Sequence, residues 1–353
     1  MLNSKTKVFS LCLVILSITL ISHFLIFEKF KNKNNDTYKA SLIDVGLFEF
    51  NNKSLLQSTN TEAYKKQSFE SYKKSSTYFK PETKEAPIKK TKLVNTKKAI
   101  SAPKEDSDNP ILLAHSILLK DLTSGEILMK RNELDSWPMA SLTKLMTATI
   151  ALENMDLTSK ILITKNSADQ SSNLLFKVGE YYSVIDMIKA SLILSNNASA
   201  LALAEGFGYE KFINLMQSKA NFLGMKNSKF FEPTGLSPLN KSTALDFEIL
   251  AKYIYTNHKE ILDITTEKIS SIKEITSGSD KVLNSTNIFA GENYFIGGKT
   301  GYTLEAQGNL FSIFKAGNKV LLSIVLGSKS KFEDTQKIYI LSLRKLLGLS
   351  ASK

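Results

Sequence analysis

Apolar positions divide the chain into stretches of different character. Val8 to Phe27 is an almost unbroken apolar run preceded by Lys5 and Lys7, with the length a helix needs to cross a bilayer. It is longer than a secretory h-region, and Ser22-His23-Phe24-Leu25-Ile26-Phe27 contains no small-x-small cleavage site. Residues 1–27 therefore read as an uncleaved signal anchor. Lys29, Lys31 and Lys33 follow directly and blunt the lysine asymmetry that would orient it. Residues 28–109 are rich in Lys, Ser, Thr and Asn, with lysine pairs at Lys65-Lys66, Lys73-Lys74, Lys89-Lys90 and Lys97-Lys98. Few apolar residues recur at helical or strand spacing there. Such a segment cannot repay its ordering entropy and is expected to be a tether, despite scattered aromatics such as Phe48, Tyr64 and Phe79.

The pattern changes near Pro110 and predicts a globular unit over 110–350. Ile111 to Leu119 alternates loosely, Thr123-Ser124-Gly125 turns the chain, and Glu126 to Met129 returns, which predicts a β-hairpin. Ser141 to Asn154 places Leu142, Leu145, Met146 and Ile150 on one side of a helix. Further apolar helices fit Val184 to Leu194 and Ala198 to Glu205, the second stopped by Gly206. Asn309 to Phe314 and Val320 to Leu326, separated by Gly317-Asn318, predict a second hairpin, and Phe332 to Leu347 a closing amphipathic helix. Strands at both ends and helices between predict an α/β sandwich whose antiparallel sheet is built from the two ends of the domain. No internal repeat is visible.

Composition narrows the chemistry. The net charge of +12 favours anionic surroundings, whether nucleic acid, anionic lipid or acidic wall polymer. Arg131 and Arg344 are the only arginines, and the lack of guanidinium forks argues against nucleic acid as a partner. The single cysteine, Cys12, lies in the apolar run and excludes an intramolecular disulfide or a multi-cysteine metal site. His23, His115 and His258 lack metal-ligand spacing, so no metal is expected.

Three short motifs carry the candidate chemistry: Ser141-Leu142-Thr143-Lys144, Ser195-Asn196-Asn197 and Lys299-Thr300-Gly301, in that order. A serine hydroxyl is a poor nucleophile until a base takes its proton, and no histidine is suitably placed. Ser141 and Lys144 lie one turn apart on one helix face, so the amine can reach the hydroxyl. The positive end of the helix dipole favours negative charge on the attacking oxygen. The amine must be neutral to act, which requires burial beside a second cation such as Lys299. Ser-x-x-Lys alone is uninformative, because it recurs at Ser4, Ser71, Ser101, Ser270 and Ser328; Lys-Thr-Gly occurs once. Taken singly, Ser141 reads as a helix cap, Lys144 as a solvated residue and Lys299-Thr300-Gly301 as a turn.

Taken together, PMASLTKLMTA from Pro138, SNNASALALAE from Ser195, FEPTGL from Phe231 and GGKTGYT from Gly297 resemble the D-alanyl-D-alanine carboxypeptidases among low-molecular-weight penicillin-binding proteins. The resemblance covers about Leu113 to Leu347. It implies a β-lactamase/transpeptidase-like sandwich, an antiparallel sheet flanked by helices, with a helical subdomain. It further implies that Ser141 forms the acyl-enzyme and Lys144 acts as general base. Ser195 passes a proton towards the leaving amine, and Asn197 holds Lys144 and contacts the substrate amide. Lys299 and Thr300 bind the terminal carboxylate, Gly301 leaves room for a peptide along its strand, and the backbone amides of Ser141 and Tyr302 form the oxyanion hole. No metal or organic cofactor is implied. The implied partners are peptidoglycan stem peptides and, as covalent inhibitors, β-lactam antibiotics. Many relatives have histidine where Thr234 stands and glycine where Gln307 stands, and both departures bear on substrate preference.

Rival readings follow from the same motifs. A D,D-endopeptidase cutting cross-links attacks the same D-alanyl carbonyl, and the motifs do not separate it from a carboxypeptidase. A class A-like β-lactamase needs a glutamate that activates water, and Glu232 lies in the right interval but lacks the Glu-x-x-Leu-Asn pattern. A catalytically silent wall-binding scaffold is disfavoured by the presence of Ser141, Lys144 and Lys299 together. If the substrate is peptidoglycan, a single-pass anchor in the cytoplasmic membrane holds the domain on the extracytoplasmic side. The basic tether is then available to anionic lipid or wall polymer.

Overall fold

The structure, a computed structural model, describes residues 111–170 and 175–346. The expected anchor (1–27) and the expected tether (28–109) lie outside the described residues. Among the described residues no helix is long and apolar enough to cross a membrane.

In chain order the hairpin strands β1 (Ser116–Asp121) and β2 (Ile127–Arg131) come first, then a short β3 (Trp137–Pro138) and helix α1 (Thr143–Asn154). Next are β4 (Lys160–Leu162), α2 (Lys165–Asp169), β5 (Tyr181–Ser183), α3 (Val184–Ile193), α4 (Asn197–Phe207) and α5 (Tyr209–Leu223). Then follow β6 (Lys241–Ser242), α6 (Ala244–Asn257), α7 (Lys259–Thr266), β7 (Ile269–Lys273) and β8 (Asp280–Asn284). The chain closes with β9 (Phe295–Thr303), β10 (Gln307–Ala316), β11 (Lys319–Ser328) and α8 (Lys331–Leu346).

Five strands form one antiparallel sheet in the order β2-β1-β11-β10-β9, so the two ends of the domain meet where β1 pairs with β11. β10 and β11 are buried along nearly their whole length because both faces are covered. Phe311, Ile313, Leu322 and Ile324 point into the main core beneath the helices. The alternate positions, including Phe314, lie on the face covered by α8, where Phe314 meets Tyr339 at a ring separation of 4.7 Å. Each large apolar side chain so enclosed contributes about 1.5–3 kcal/mol.

Helix α1 runs through the middle of the helical layer, and every residue from Thr143 to Ala151 is buried. The helix is thus enclosed on every side instead of on one stripe, with Thr143, Lys144, Thr147 and Thr149 among its buried residues. Hydroxyl and amide caps fix the helix starts around it. Ser183 accepts from the Asp186 amide, Asn196 from the Ser199 amide and Thr243 from the Asp246 amide.

The expected α/β sandwich with a helical layer is the observed architecture, and some boundaries move. The first strand begins at Ser116 instead of Ile111, because Ile111 and Leu113 are exposed and pair with no strand. Gly206 does not stop α4: the helix runs on to Phe207, and it is Gly208, at φ +103°, that breaks it. The space above Gly206 is filled by Ile161, whose Cδ1 lies 2.7 Å from where a Cβ would sit.

Candidate active site

Ser141, the candidate nucleophile, sits on a turn held from three sides. Ala140 takes a left-handed backbone conformation at φ 47°, and Ala140–Leu142 form a short 3-10 turn that leads into α1. Ser141 is therefore on that turn, one step before the helix where the hydrophobic pattern placed it. From the sheet, Asn309 on β10 donates to the carbonyls of Pro138 (2.8 Å) and Met139 (3.0 Å). Gly301 on β9 lies so close that a Cβ there would stand 3.2 Å from both Ala140 Cβ and the Ser141 nitrogen. Its missing side chain thus lets β9 lie against the nucleophile turn, a role beyond leaving room for a peptide. From the other side comes the loop of residues 231–240. Gly235, at φ +85°, packs flush on the turn, and a Cβ there would fall 1.8 Å from the Ala140 carbonyl oxygen.

Lys144, one helical turn on from Ser141, is completely buried. Its Nζ stands 2.8 Å from Ser141 Oγ, 2.7 Å from Asn197 Oδ1 and 2.6 Å from the Thr234 carbonyl oxygen. As an ammonium it donates to all three oxygens. As a neutral amine it keeps its two N–H groups on Asn197 and Thr234 and turns its lone pair to the Ser141 hydroxyl. Burial lowers its pKa to about 7, against a smaller upward pull from the Glu232 carboxylate. The amine can thus lose its proton near neutral pH.

A second lysine faces the site from the sheet. Lys299 is buried, and its Nζ donates to Ser195 Oγ at 2.7 Å and to the Thr300 carbonyl at 2.9 Å. Ser195 occupies the tight junction between α3 and α4 at φ 57°, a strained conformation for a residue with a side chain. Asn196 then caps α4, which sets Asn197 on its first turn facing Lys144. Burial, together with the charges of Lys144 and Lys331, holds the Lys299 pKa well below the usual lysine range. Burial is thus the larger cause of the lowered Lys144 pKa, and Lys299 is the second buried cation beside it; repulsion between the two ammonium groups is mutual and disfavours both being charged at once.

The structure brings Ser141, Lys144, Ser195, Asn197, Lys299 and Thr300 together, with Gly301 beside the turn. Tyr302 follows on β9, half-buried and opposite Gly308. Ser141, Ser195 and Asn197 keep partial solvent exposure, while both lysines lie below them. Several partners were not legible in the sequence. The Thr300 hydroxyl lies 2.9 Å from the Thr286 hydroxyl, and the Thr286 amide donates to the Ile193 carbonyl (3.1 Å). Lys331, at the start of α8, donates to the Gly301 carbonyl at 3.1 Å, and burial lowers its pKa to about 8. Thr234 acts through its carbonyl, so threonine in place of histidine leaves this contact with Lys144 in place. The other Ser-x-x-Lys repeats among the described residues fall elsewhere: Ser270 lies on β7, and Ser328 donates to Asp334 at 2.6 Å. His115 stacks on Trp137, the residue before Pro138, and pairs with Asp135 at 2.9 Å, while His258 pairs with Glu153 at 3.0 Å. Among the described residues no cluster of His, Cys, Asp and Glu has the make-up of a metal site.

Comparison with known proteins places this geometry in context. A family model described as D-alanyl-D-alanine carboxypeptidase matches residues 102–330. D-alanyl-D-alanine carboxypeptidase DacF of Bacillus subtilis is 29% identical over 247 residues, covering 67% of this chain and 63% of that protein. A D-alanyl-D-alanine endopeptidase of Haemophilus influenzae is 34% identical over 211 residues, covering 58% of this chain and 71% of its own. Penicillin-binding protein D2 of Listeria monocytogenes, solved in its ampicillin-bound form, superposes with a TM-score of 0.60 at 28% identity. That match covers 66% of this chain and 98% of the other. The chain spans just under two thirds of the length of the Bacillus relative.

Proposed function

Since the chain belongs to the D-alanyl-D-alanine carboxypeptidase family, we propose that it removes the terminal D-alanine of peptidoglycan stem peptides through an acyl-enzyme on Ser141. The observation that carries this reading is the buried Lys144 amine 2.8 Å from Ser141 Oγ, its remaining N–H groups directed to Asn197 and Thr234.

The anionic end of the substrate enters beside Lys299 and Thr300. Its carboxylate restores the ammonium form of Lys299, whose proton affinity is depressed in the free protein. Lys331 adds positive charge behind the same strand. Ser141 Oγ attacks the penultimate D-alanyl carbonyl as its proton passes to neutral Lys144. The backbone amides of Ser141 and Tyr302 stabilise the oxyanion. The proton then returns by way of Ser195 to the departing D-alanine nitrogen, and the C–N bond breaks. Water, deprotonated at the same amine, attacks the ester and frees Ser141. Asn197 keeps Lys144 in line and faces the substrate amide.

β-Lactams fit the same reading as covalent inhibitors, as the ampicillin-bound Listeria relative supports. Glu232, the one candidate for a lactamase-type water base, has its carboxylate taken up by its own loop. It accepts from the Thr234 and Gly235 amides and from Asn240 Nδ2, so a long-lived adduct is expected in place of rapid β-lactam turnover. The Haemophilus relative named as an endopeptidase keeps cleavage of cross-links as a second reading. Incubation with a linear pentapeptide and with a cross-linked dimer separates the two. Release of free D-alanine from the pentapeptide supports the carboxypeptidase; cleavage of the dimer alone supports the endopeptidase.

The apolar run Val8 to Phe27 supports a single N-terminal span, with residues 28–109 as tether and 110–350 as catalytic domain on the extracytoplasmic side of the cytoplasmic membrane. Protease added outside spheroplasts should digest the domain; digestion only after the membrane is broken from within would contradict this orientation.

A further inference from the structure

Beyond the groups that meet the substrate, the loop of residues 231–240 carries a charge the mechanism has not used. Both oxygens of the Glu232 carboxylate are held. Oε2 accepts from the Thr234 amide (2.6 Å) and the Thr234 hydroxyl, and Oε1 from the Gly235 amide (2.6 Å), the Ser237 amide (3.4 Å) and Asn240 Nδ2 (2.9 Å). The loop folded round this carboxylate touches the catalytic groups directly. Its Thr234 carbonyl accepts from Lys144, its Pro233 carbonyl accepts from Thr147 Oγ1 (2.6 Å), and Gly235 rests on the turn before Ser141. Asn240 ties the far end to the same places, since Nδ2 reaches Thr143 Oγ1 (3.2 Å) and the Asn240 carbonyl accepts from the Met139 amide (2.9 Å). One carboxylate thus organises the loop that supplies an acceptor to the base.

We infer that Glu232 is a positioning residue for acylation, which fixes the Thr234 carbonyl on Lys144 and places a negative charge beside that amine. The inference rests on the reading of Lys144 as the base for Ser141. The other charged group facing Lys144 is a cation, Lys299 on β9, which itself feels Lys331 on α8, while Ser141, Asn197 and Thr234 present neutral oxygens. On its far side Glu232 acts on the Tyr209 phenol at the start of α5, together with Glu205 and Glu210. Glu232 is the carboxylate whose field reaches Lys144, and it favours the protonated amine. It therefore opposes the burial that would otherwise empty the base of its proton at lower pH. Removing the charge lowers the proton affinity of Lys144 and leaves more neutral amine on the acid side.

The test is the rate of acylation of the detergent-solubilised full chain by a fluorescent penicillin, followed from pH 5 to pH 9. In the wild type the rate falls on the acid side as Lys144 takes up its proton. In E232Q that acid limb is expected to move down by on the order of one pH unit. The plateau also drops, because an amide cannot accept from all the donors in the loop. E232D keeps the charge on a shorter arm and is expected to place the limb between the two. A merely structural role lowers the plateau and leaves the limb where it was, so coincident limbs for E232Q and wild type overturn the inference. Should E232Q fail to fold, E232D decides, and its limb at the wild-type position is the contrary result. Absence of any acylation in the wild type is a different failure, which removes the serine–lysine reading itself and this inference with it.

Discussion

Gly235→Ala perturbs the proposed nucleophile and base at once without removing a functional group. The added Cβ would lie 1.8 Å from the Ala140 carbonyl oxygen, 2.3 Å from its carbon and 2.8 Å from Thr143 Oγ1. Ordinary van der Waals contact begins at 3.4 Å, so loop and turn must separate by about 1.6 Å, the difference between the two distances. Neither side yields freely. The turn is held by Asn309 and by the approach of Gly301, and the loop is held by Glu232 and Asn240. Overpacking of this kind costs about 1–3 kcal/mol, and an alanine at φ +85° adds about 1 kcal/mol. A loss of roughly 2–4 kcal/mol corresponds to a Tm lower by roughly 5–15 °C in a domain of this size. Acylation should suffer more than stability. A shift of about 1 Å between Ser141 and Lys144 is enough for a rate loss on the order of a hundredfold. Gly224→Ala is the control, because Gly224 has φ +86° with nothing within 4 Å of the new methyl. It should lose about 1 kcal/mol and acylate at the wild-type rate. Penicillin acylation kinetics and thermal melts of both variants decide. Equal behaviour of the two, or wild-type acylation in Gly235→Ala, would refute the close packing of loop on turn.

Two further outcomes follow from the lysines. Because Lys144 has a pKa of about 7 when folded and the ordinary lysine value when unfolded, the unfolded chain binds the extra proton between pH 7 and about 10. Stability therefore rises with pH through that window and is lost as pH falls through 7. Urea denaturation at pH 7 and pH 9 should show a gain for the wild type larger by roughly 2 kcal/mol than for Lys144→Met; equal gains would show that the amine keeps its proton inside. Lys299→Met should raise KM for a peptide with a free terminal carboxylate while changing little for the same peptide amidated at its end. An equal effect on both peptides would count against Lys299 as the carboxylate's partner.

The sheet was largely legible because its strands are short apolar runs and its turns carry Gly or Asn: the β1–β2 and β10–β11 hairpins follow from Gly125 and Gly317-Asn318. Helix α1 was legible as apolar, although its burial on every side comes from neighbours the hydrophobic pattern does not name. Helix α5 went unread even though Phe212, Met216 and Ala220 recur at helical spacing and are its buried residues. The short α7 also went unread, although Ile261, Leu262 and Thr265 form an apolar face that is buried, with Leu262 against Gly297 of β9. Within the site, the three motifs point to side chains, so Ser141, Lys144, Asn197 and Lys299 could be named from residue type and order. The roles that went unread are ones residue type does not show. The Thr234 carbonyl is a backbone atom, Lys331 is brought in by the packing of α8, and Glu232 gains its meaning from a loop folded round it.

The account stands most directly on where a β-lactam bonds. Peptide mass mapping of the chain after penicillin treatment should find one penicilloyl adduct, on the peptide containing Ser141. The adduct should be absent from Ser141→Ala and slow to form in Lys144→Met, though both remain folded. An adduct on another residue, or undiminished labelling of Ser141→Ala, would contradict it.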